Sequence, residues 1–325
     1  MSHNSGTAVL LLAHGTPDSV EEIPQYLSNI TGGRPMPPAV IEEVSHRFSL
    51  VGGSPLTALT LEQARLLRDE LCLPVYVGMR NWKPYIADVI AQMKADGIHR
   101  AVTLCLAPQN SRTSVGLYRK AVFTAAGPEQ DAAGHALQIH FIEGWADHPL
   151  LVDAFAERLR AVLDPFVAET GSPVPVLFTA HSVPCRTVLS PSPSDPGTAP
   201  LPPDPYAVEA KRTASLVAER AGLAPDQCFF AFQSQGMSGG PWLGPTVEDT
   251  LTALERQGVR NIIVDPIGFL CDHVEILYDI DIGFREFAAN LGMTLRRPES
   301  LNNSPLLTAA LADLARSTLD TWGVR

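Results

Sequence analysis

The strongest constraint on how this chain can fold is that its second half repeats its first. Residues 9–17 read VLLLAHGTP and residues 176–184 read VLFTAHSVP. Each is an apolar run of buried-strand type that breaks into a loop at Ala-His-small-x-Pro. A second pair follows in the same order, PYIADVIAQMKADGIHRAVTL at 84–104 and PTVEDTLTALERQGVRNIIVD at 245–265. In both, Pro at the first helical turn opens an amphipathic helix, a glycine (Gly97 or Gly258) caps its end, and a β-branched strand comes next. The offsets, 167 and 161 residues, are close to half of the 325. Two matches in one order imply duplicated lobes. The length agrees, because one core rarely serves more than roughly 250–300 residues.

Within each lobe strands alternate with helices. The first predicts strands near 8–13, 75–79, 100–106 and 137–142, with helices near 57–71, 84–96 and 113–125. The second predicts strands near 175–180, 228–233, 260–265 and 293–297, with helices near 205–221, 245–257 and 272–280. Continuous Val/Ile/Leu strands between amphipathic helices indicate parallel sheets covered on both faces. The expected class is α/β: two similar Rossmann-like lobes, 8–147 and 173–304, with a cleft between them. A connecting helix at 148–172 joins them, and a last helix at 305–320 is expected to pack back on the first lobe. Residues 185–205 hold seven prolines and predict an extended surface loop.

Composition removes several functions. Hydrophobic residues are 45% and the net charge is −11, which argues against disorder and against broad binding to nucleic acid or anionic lipid. The five cysteines form no CxxC pair, which supports neither a zinc knuckle nor a disulfide framework. No run approaches the ~18 apolar residues of a transmembrane segment, and Met1–Thr7 does not read as a signal peptide. A cytoplasmic protein is expected. The paired glycines at 32–33, 52–53 and 239–240 make neither GxGxxG nor a phosphate loop, and no GxSxG elbow is present.

In open parallel sheets ligands bind beyond the carboxyl ends of the strands. His14 and His181 stand there, each just after the first strand of its lobe, so facing lobes would turn both imidazoles into one cleft. The alternative for each is a histidine satisfied by backbone carbonyls. In CDHVEILYDIDI (271–282), an α-helix would put Asp272, Glu275 and Asp279 on one face. Repulsion and burial would raise at least one of their pKa values, giving a proton acceptor nearer neutrality, and the stripe would attract a divalent cation. The alternative is a solvated acidic first turn. The excess charge is concentrated here, six acids and one Arg between Asp265 and Glu286.

These residues carry a family resemblance. LLLAHGTP, GGSPL (52–56), VLFTAHSVP, DPY (204–206), FQSQG…PWLGP (232–245), PIGFLCDHVEILYDID (266–281) and RRPESLNNSP (296–305) together resemble ferrochelatase, most of all the bacterial coproporphyrin ferrochelatases. The likeness runs from about residue 8 onward. It implies insertion of Fe²⁺ into a porphyrin between two Rossmann-like lobes. It also implies His181 and Glu275 as the catalytic, metal-binding pair, with Asp272 and Asp279 extending a path for metal or protons. His14, Thr16, Arg34, Arg47, Ser54 and Tyr118 are the implied porphyrin contacts, His14 also as an axial ligand to iron. The expected partners are coproporphyrin III and Fe²⁺, the latter a substrate; a monomer with no required cofactor is expected.

Three features depart from the family pattern. His14 replaces a Tyr that ligates product iron, Thr31 stands where an Arg contact is expected, and the proline loop is longer. Some relatives carry an iron–sulfur cluster on C-terminal cysteines; no Cys follows Cys271, so none is expected. Protoporphyrin IX is the alternative substrate. A cobalt or sirohydrochlorin chelatase would share the fold, though FQSQG…PWLGP counts against it. A non-catalytic tetrapyrrole or heme carrier is the alternative of another class, against which stands the His181/Glu275 pair, since a carrier needs only an axial ligand.

Overall fold

A computed structural model of the chain describes residues 6–127, 137–188, 202–236 and 239–324. The first lobe opens with β1 (Thr7–Ala13), α1 (Ile23–Ile30), α2 (Pro38–Val51) and α3 (Leu56–Leu71). It continues through β2 (Val75–Met79), α4 (Ile86–Ala95), β3 (Arg100–Cys105), α5 (Val115–Ala126) and β4 (Gln138–Ile142). Helix α6 (Pro149–Thr170) leads to β5 (Val176–His181), the short α7 (Cys185–Val188), α8 (Tyr206–Ala221) and β6 (Cys228–Gln233). Then come α9 (Val247–Arg256), β7 (Asn261–Asp265), a π-helix (Glu275–Phe284), α10 (Arg285–Asn290), β8 (Thr294–Arg296) and α11 (Pro305–Thr321).

Among the described residues the strands pair in parallel, in two four-stranded sheets ordered β2-β1-β3-β4 and β6-β5-β7-β8. Each first strand lies inside its sheet with its second strand at one edge, so the repeat in sequence is a repeat in topology. The class is α/β, as expected.

Strand periodicity explains the layering. In β1, Val9, Leu11 and Ala13 join one core, while Ala8, Leu10 and Leu12 join another against α4 and α5. In the second sheet Val176, Phe178 and Ile263 face the first of these cores, and Leu177, Ile262 and Val264 face the other way. The first core therefore belongs to both sheets, filled by α3, α6, α8 and α11. Helix α11 packs on α3, α6 and β3. Burial of each large aliphatic side chain contributes about 1.5–3 kcal/mol, so this shared interior ties the sheets together.

Several local expectations are refined. Pro84 and Pro245 do not start their helices but precede the N-cap residues Tyr85 and Thr246, both after cis peptide bonds. Their carbonyls accept from Met79 N and Phe232 N, so each continues a strand edge before the helix begins. Gly97 and Gly258 take positive φ values, 77° and 91°, one residue after the cap. Each closes the same two-bond motif, Gly97 N to Lys94 O with Ile98 N to Met93 O, and Gly258 N to Glu255 O with Val259 N to Leu254 O. Helices α1 and α2 have no counterpart in the sequence reading. Of the proline stretch, residues 189–201 lie outside the described residues; Cys185–Val188 is helical rather than extended.

Candidate functional site

The carboxyl ends of β1 and β5 deliver the two histidines. His14 follows Ala13 directly, and its carbonyl accepts from Asn81 N at 2.9 Å. His181 is the last residue of β5. Residues 266–274 then run across the end of β5. This crossing needs a glycine, because a Cβ at Gly268 would stand 2.9 Å from the Cα of Ala180. The crossing lays Phe269 against two imidazoles, with ring centroids 6.4 Å from His181 and 4.8 Å from His273.

Both histidines have one nitrogen tied to a backbone carbonyl. His181 Nδ1 contacts Ser182 O, and His273 Nδ1 lies 3.1 Å from Cys271 O. A carbonyl only accepts, so in the neutral form each Nδ1 carries the proton and each Nε2 presents its lone pair. Both Nε2 atoms face one oxygen, Glu275 Oε2, at 3.6 Å. That separation is too long for a hydrogen bond. Among the described residues no group of three or more His, Cys, Asp or Glu closes into a metal cage. Two imidazole lone pairs and a carboxylate around an open position suit a metal in transit.

Electrostatics divides the acids. Burial pushes Glu275 up, but the positive charge that His181, His273 and His14 carry in their protonated forms outweighs it and holds the carboxyl down, to about 2. Glu275 is therefore an anion at neutral pH. The acid displaced upward is Asp279, raised chiefly by burial against the opposing Ser234 hydrogen bond and Arg47. The expectation of one carboxyl poised nearer neutrality thus falls on Asp279. Its other contacts are Ser234 Oγ on Oδ2 and Arg47 Nη1 at 3.5 Å from Oδ1. Arg47 also lies over the Tyr278 ring and pairs with Glu43 Oε1 at 2.8 Å.

Asp272, Glu275 and Asp279 do not share an α-helical face. The helix starts at Glu275 and is of π type, its i→i+5 bonding widening each turn, and Asp272 precedes it. The Asp272 carboxylate accepts from Ser300 Oγ at 2.7 Å and Asn302 Nδ2 at 3.0 Å, with Arg297 Nη2 at 3.2 Å. Asn302 Oδ1 accepts from Asp272 N at 2.9 Å. This clamp holds the turn just ahead of His273 and Glu275.

The remaining sequence candidates surround this centre. Burial, Arg80 and the nearby imidazoles outweigh Glu275 and lower the His14 pKa to about 4, so the ring is neutral. Its Nε2 lies 3.1 Å from Tyr26 Oη and 3.0 Å from Asn81 Nδ2. Thr16 Oγ1 donates to Ser54 Oγ at 2.8 Å. Tyr118 is buried beneath the Arg80 guanidinium, 5.2 Å from the ring centroid. Arg34 is exposed and donates from Nε to Thr31 O at 3.0 Å. Thr31 Oγ1 is consumed locally by the carbonyls of Leu27, Ser28 and Arg34.

Sequence reasoning quoted His273 inside its motif without a role; its position two residues before Glu275 was the available signal. Arg80, Asn81 and Tyr26 were missed, and only the β1–β2 pairing brings the first two to His14.

The model of the ferrochelatase family matches residues 6–319. A ferrochelatase from Acidobacterium capsulatum is 69% identical over 316 residues, covering 96% of this chain and 94% of its own length. A coproporphyrin III ferrochelatase from Bacillus pumilus is 32% identical over 321 residues, covering 96% of this chain and 97% of its own. Among solved structures, the sirohydrochlorin chelatase SirB from Bacillus subtilis subspecies spizizenii, in complex with cobalt, superposes with a TM-score of 0.55 over 97% of this chain. At 10% identity that likeness speaks to the fold alone, covering 95% of the SirB chain. Among the described residues no helix is long and apolar enough to cross a membrane.

Proposed function

The chain belongs to the ferrochelatase family, enzymes that insert Fe²⁺ into a porphyrin, and on that premise we propose that its porphyrin is coproporphyrin III. Relatives near one-third identity bear the name coproporphyrin III ferrochelatase. The iron-insertion chemistry beneath this reading is supported by the convergence of two imidazole Nε2 atoms on the ionised Glu275. Glu275 and His181 hold Fe²⁺ as its water is shed, and His273 backs them, its Nε2 facing the same Glu275 oxygen. Insertion replaces two pyrrole N–H protons by iron, so the reaction releases two protons. The histidines and Asp279 are the bases that carry them away. Arg34, Arg47, Thr16, Ser54 and Tyr118 hold the macrocycle, with no resident cofactor and in a monomer.

Anaerobic incubation with Fe²⁺ and each porphyrin, followed by the metalloporphyrin spectrum, tests this. Turnover of coproporphyrin III is expected at least about 10-fold faster than of protoporphyrin IX, each extra paired carboxylate being worth about 1.5–3 kcal/mol. Equal rates, or faster protoporphyrin, would overturn the substrate assignment.

His14 stays neutral through physiological pH, so a ring nitrogen is available to product iron. We assign it as the axial ligand in place of a Tyr. His14→Ala should shift the visible bands of the bound iron porphyrin and speed its release; unchanged spectra would rule the ligand out.

A further inference from the structure

A groove of about 440 Å³ opens on the first lobe, between the end of α1, the β2–α4 turn and α5. Ile30, Ala87 and Leu117 give it apolar walls, and Arg80, Asn81 and Lys120 give it its polar ones. Asn81 is the residue whose side chain meets the His14 ring, and Arg80 is the one stacked on Tyr118. The polar wall of the groove is thus made by residues that also touch His14 and Tyr118. The half-buried Arg80 guanidinium has no carboxylate partner among the described residues; its contacts are the Tyr118 ring and Thr113 O at 3.5 Å. Lys120 likewise pairs with no described carboxylate. Arg47, by contrast, is already compensated by Glu43 and Asp279.

A half-buried guanidinium left without an anion beside an apolar groove calls for one from the ligand. We propose that Arg80, assisted by Lys120, binds a carboxylate arm of the porphyrin, with the adjoining ring edge against Ile30 and Leu117. This rests on the porphyrin reading above and names a second anchoring point. It also answers the Thr31 departure, since that hydroxyl is spent on backbone carbonyls.

Fluorescence titration of the full iron-free chain tests the assignment, using coproporphyrin III and its tetramethyl ester. Arg80→Gln should weaken binding of the free acid about 10-fold and leave the ester within about two-fold. Lys120→Gln should cost the free acid about three-fold, and Arg80→Lys should recover part of the loss. Equal affinity of Arg80→Gln and the parent for the free acid would overturn the proposal. So would an equal loss for acid and ester, which would make Arg80 a structural support. The porphyrin reading fails separately, if the parent chain inserts Fe²⁺ into no porphyrin.

Discussion

Glu275→Gln should lower the rate of metal insertion by on the order of 10³-fold while porphyrin affinity stays within a few-fold. The amide keeps the shape of the side chain but removes the anion that His181 and His273 hold down. It also replaces an acceptor oxygen with a donor facing two lone pairs, so a metal would meet a repelling N–H. His181→Ala should lose a comparable factor, because it deletes the lone pair that Ser182 O orients. His273→Ala should lose less, on the order of 10-fold, since one imidazole and the carboxylate remain. Initial rates under anaerobic conditions, with porphyrin affinity from fluorescence quenching, separate chemistry from binding. Wild-type rates in Glu275→Gln and His181→Ala would move the chemistry elsewhere; a matching loss of porphyrin affinity would make the pair a binding element.

The sheets were legible because burial on both faces leaves continuous apolar strands, and because the repeat fixed which strands correspond. His181 stood out for the same reason, as the strand-end counterpart of His14, whereas its pairing with Glu275 at a metal site was implied only by the family resemblance. What escaped depends on contacts remote in sequence. Helix α1 is only eight residues long with a proline at its start, too short for periodicity to mark it. The π-helix has the composition of an α-helix, and only its placement beside the cleft separates them.

The acidic segment shows the same limit. Of its six acids, Asp281 is held bidentately by Arg297, at 2.8 and 2.7 Å, and Asp272 by Ser300 and Asn302. Glu275 and Asp279 are the two that belong to the proposed metal site. A charge count marks the region but does not tell a donor from a clamp.

Asp265 is the acid whose environment departs furthest from the segment's reading, and it yields a stability prediction with a definite sign. It ends β7 at 2% exposure, and its Oδ2 has no hydrogen-bond partner. Burial pushes its carboxyl up to about 8, far above the ~3.9 of an unfolded chain. Between those values the native state binds a proton that the unfolded state does not. Stability is therefore fully present below about pH 4 and falls as pH rises towards 8, by about 1.4 kcal/mol per unit. By pH 7 the loss is about 4 kcal/mol. Asp265→Asn keeps the volume and cannot ionise, so it should be more stable than the parent by several kcal/mol at pH 7–8. Near pH 4 the order should vanish or reverse by about 1 kcal/mol, because the buried amide then carries an unpaired donor where the acid carried a hydroxyl. Denaturant midpoints of both proteins from pH 4 to 8 measure this. Parallel pH curves would mean that Asp265 does not take up a proton on folding, and that its carboxylate is compensated in the native state.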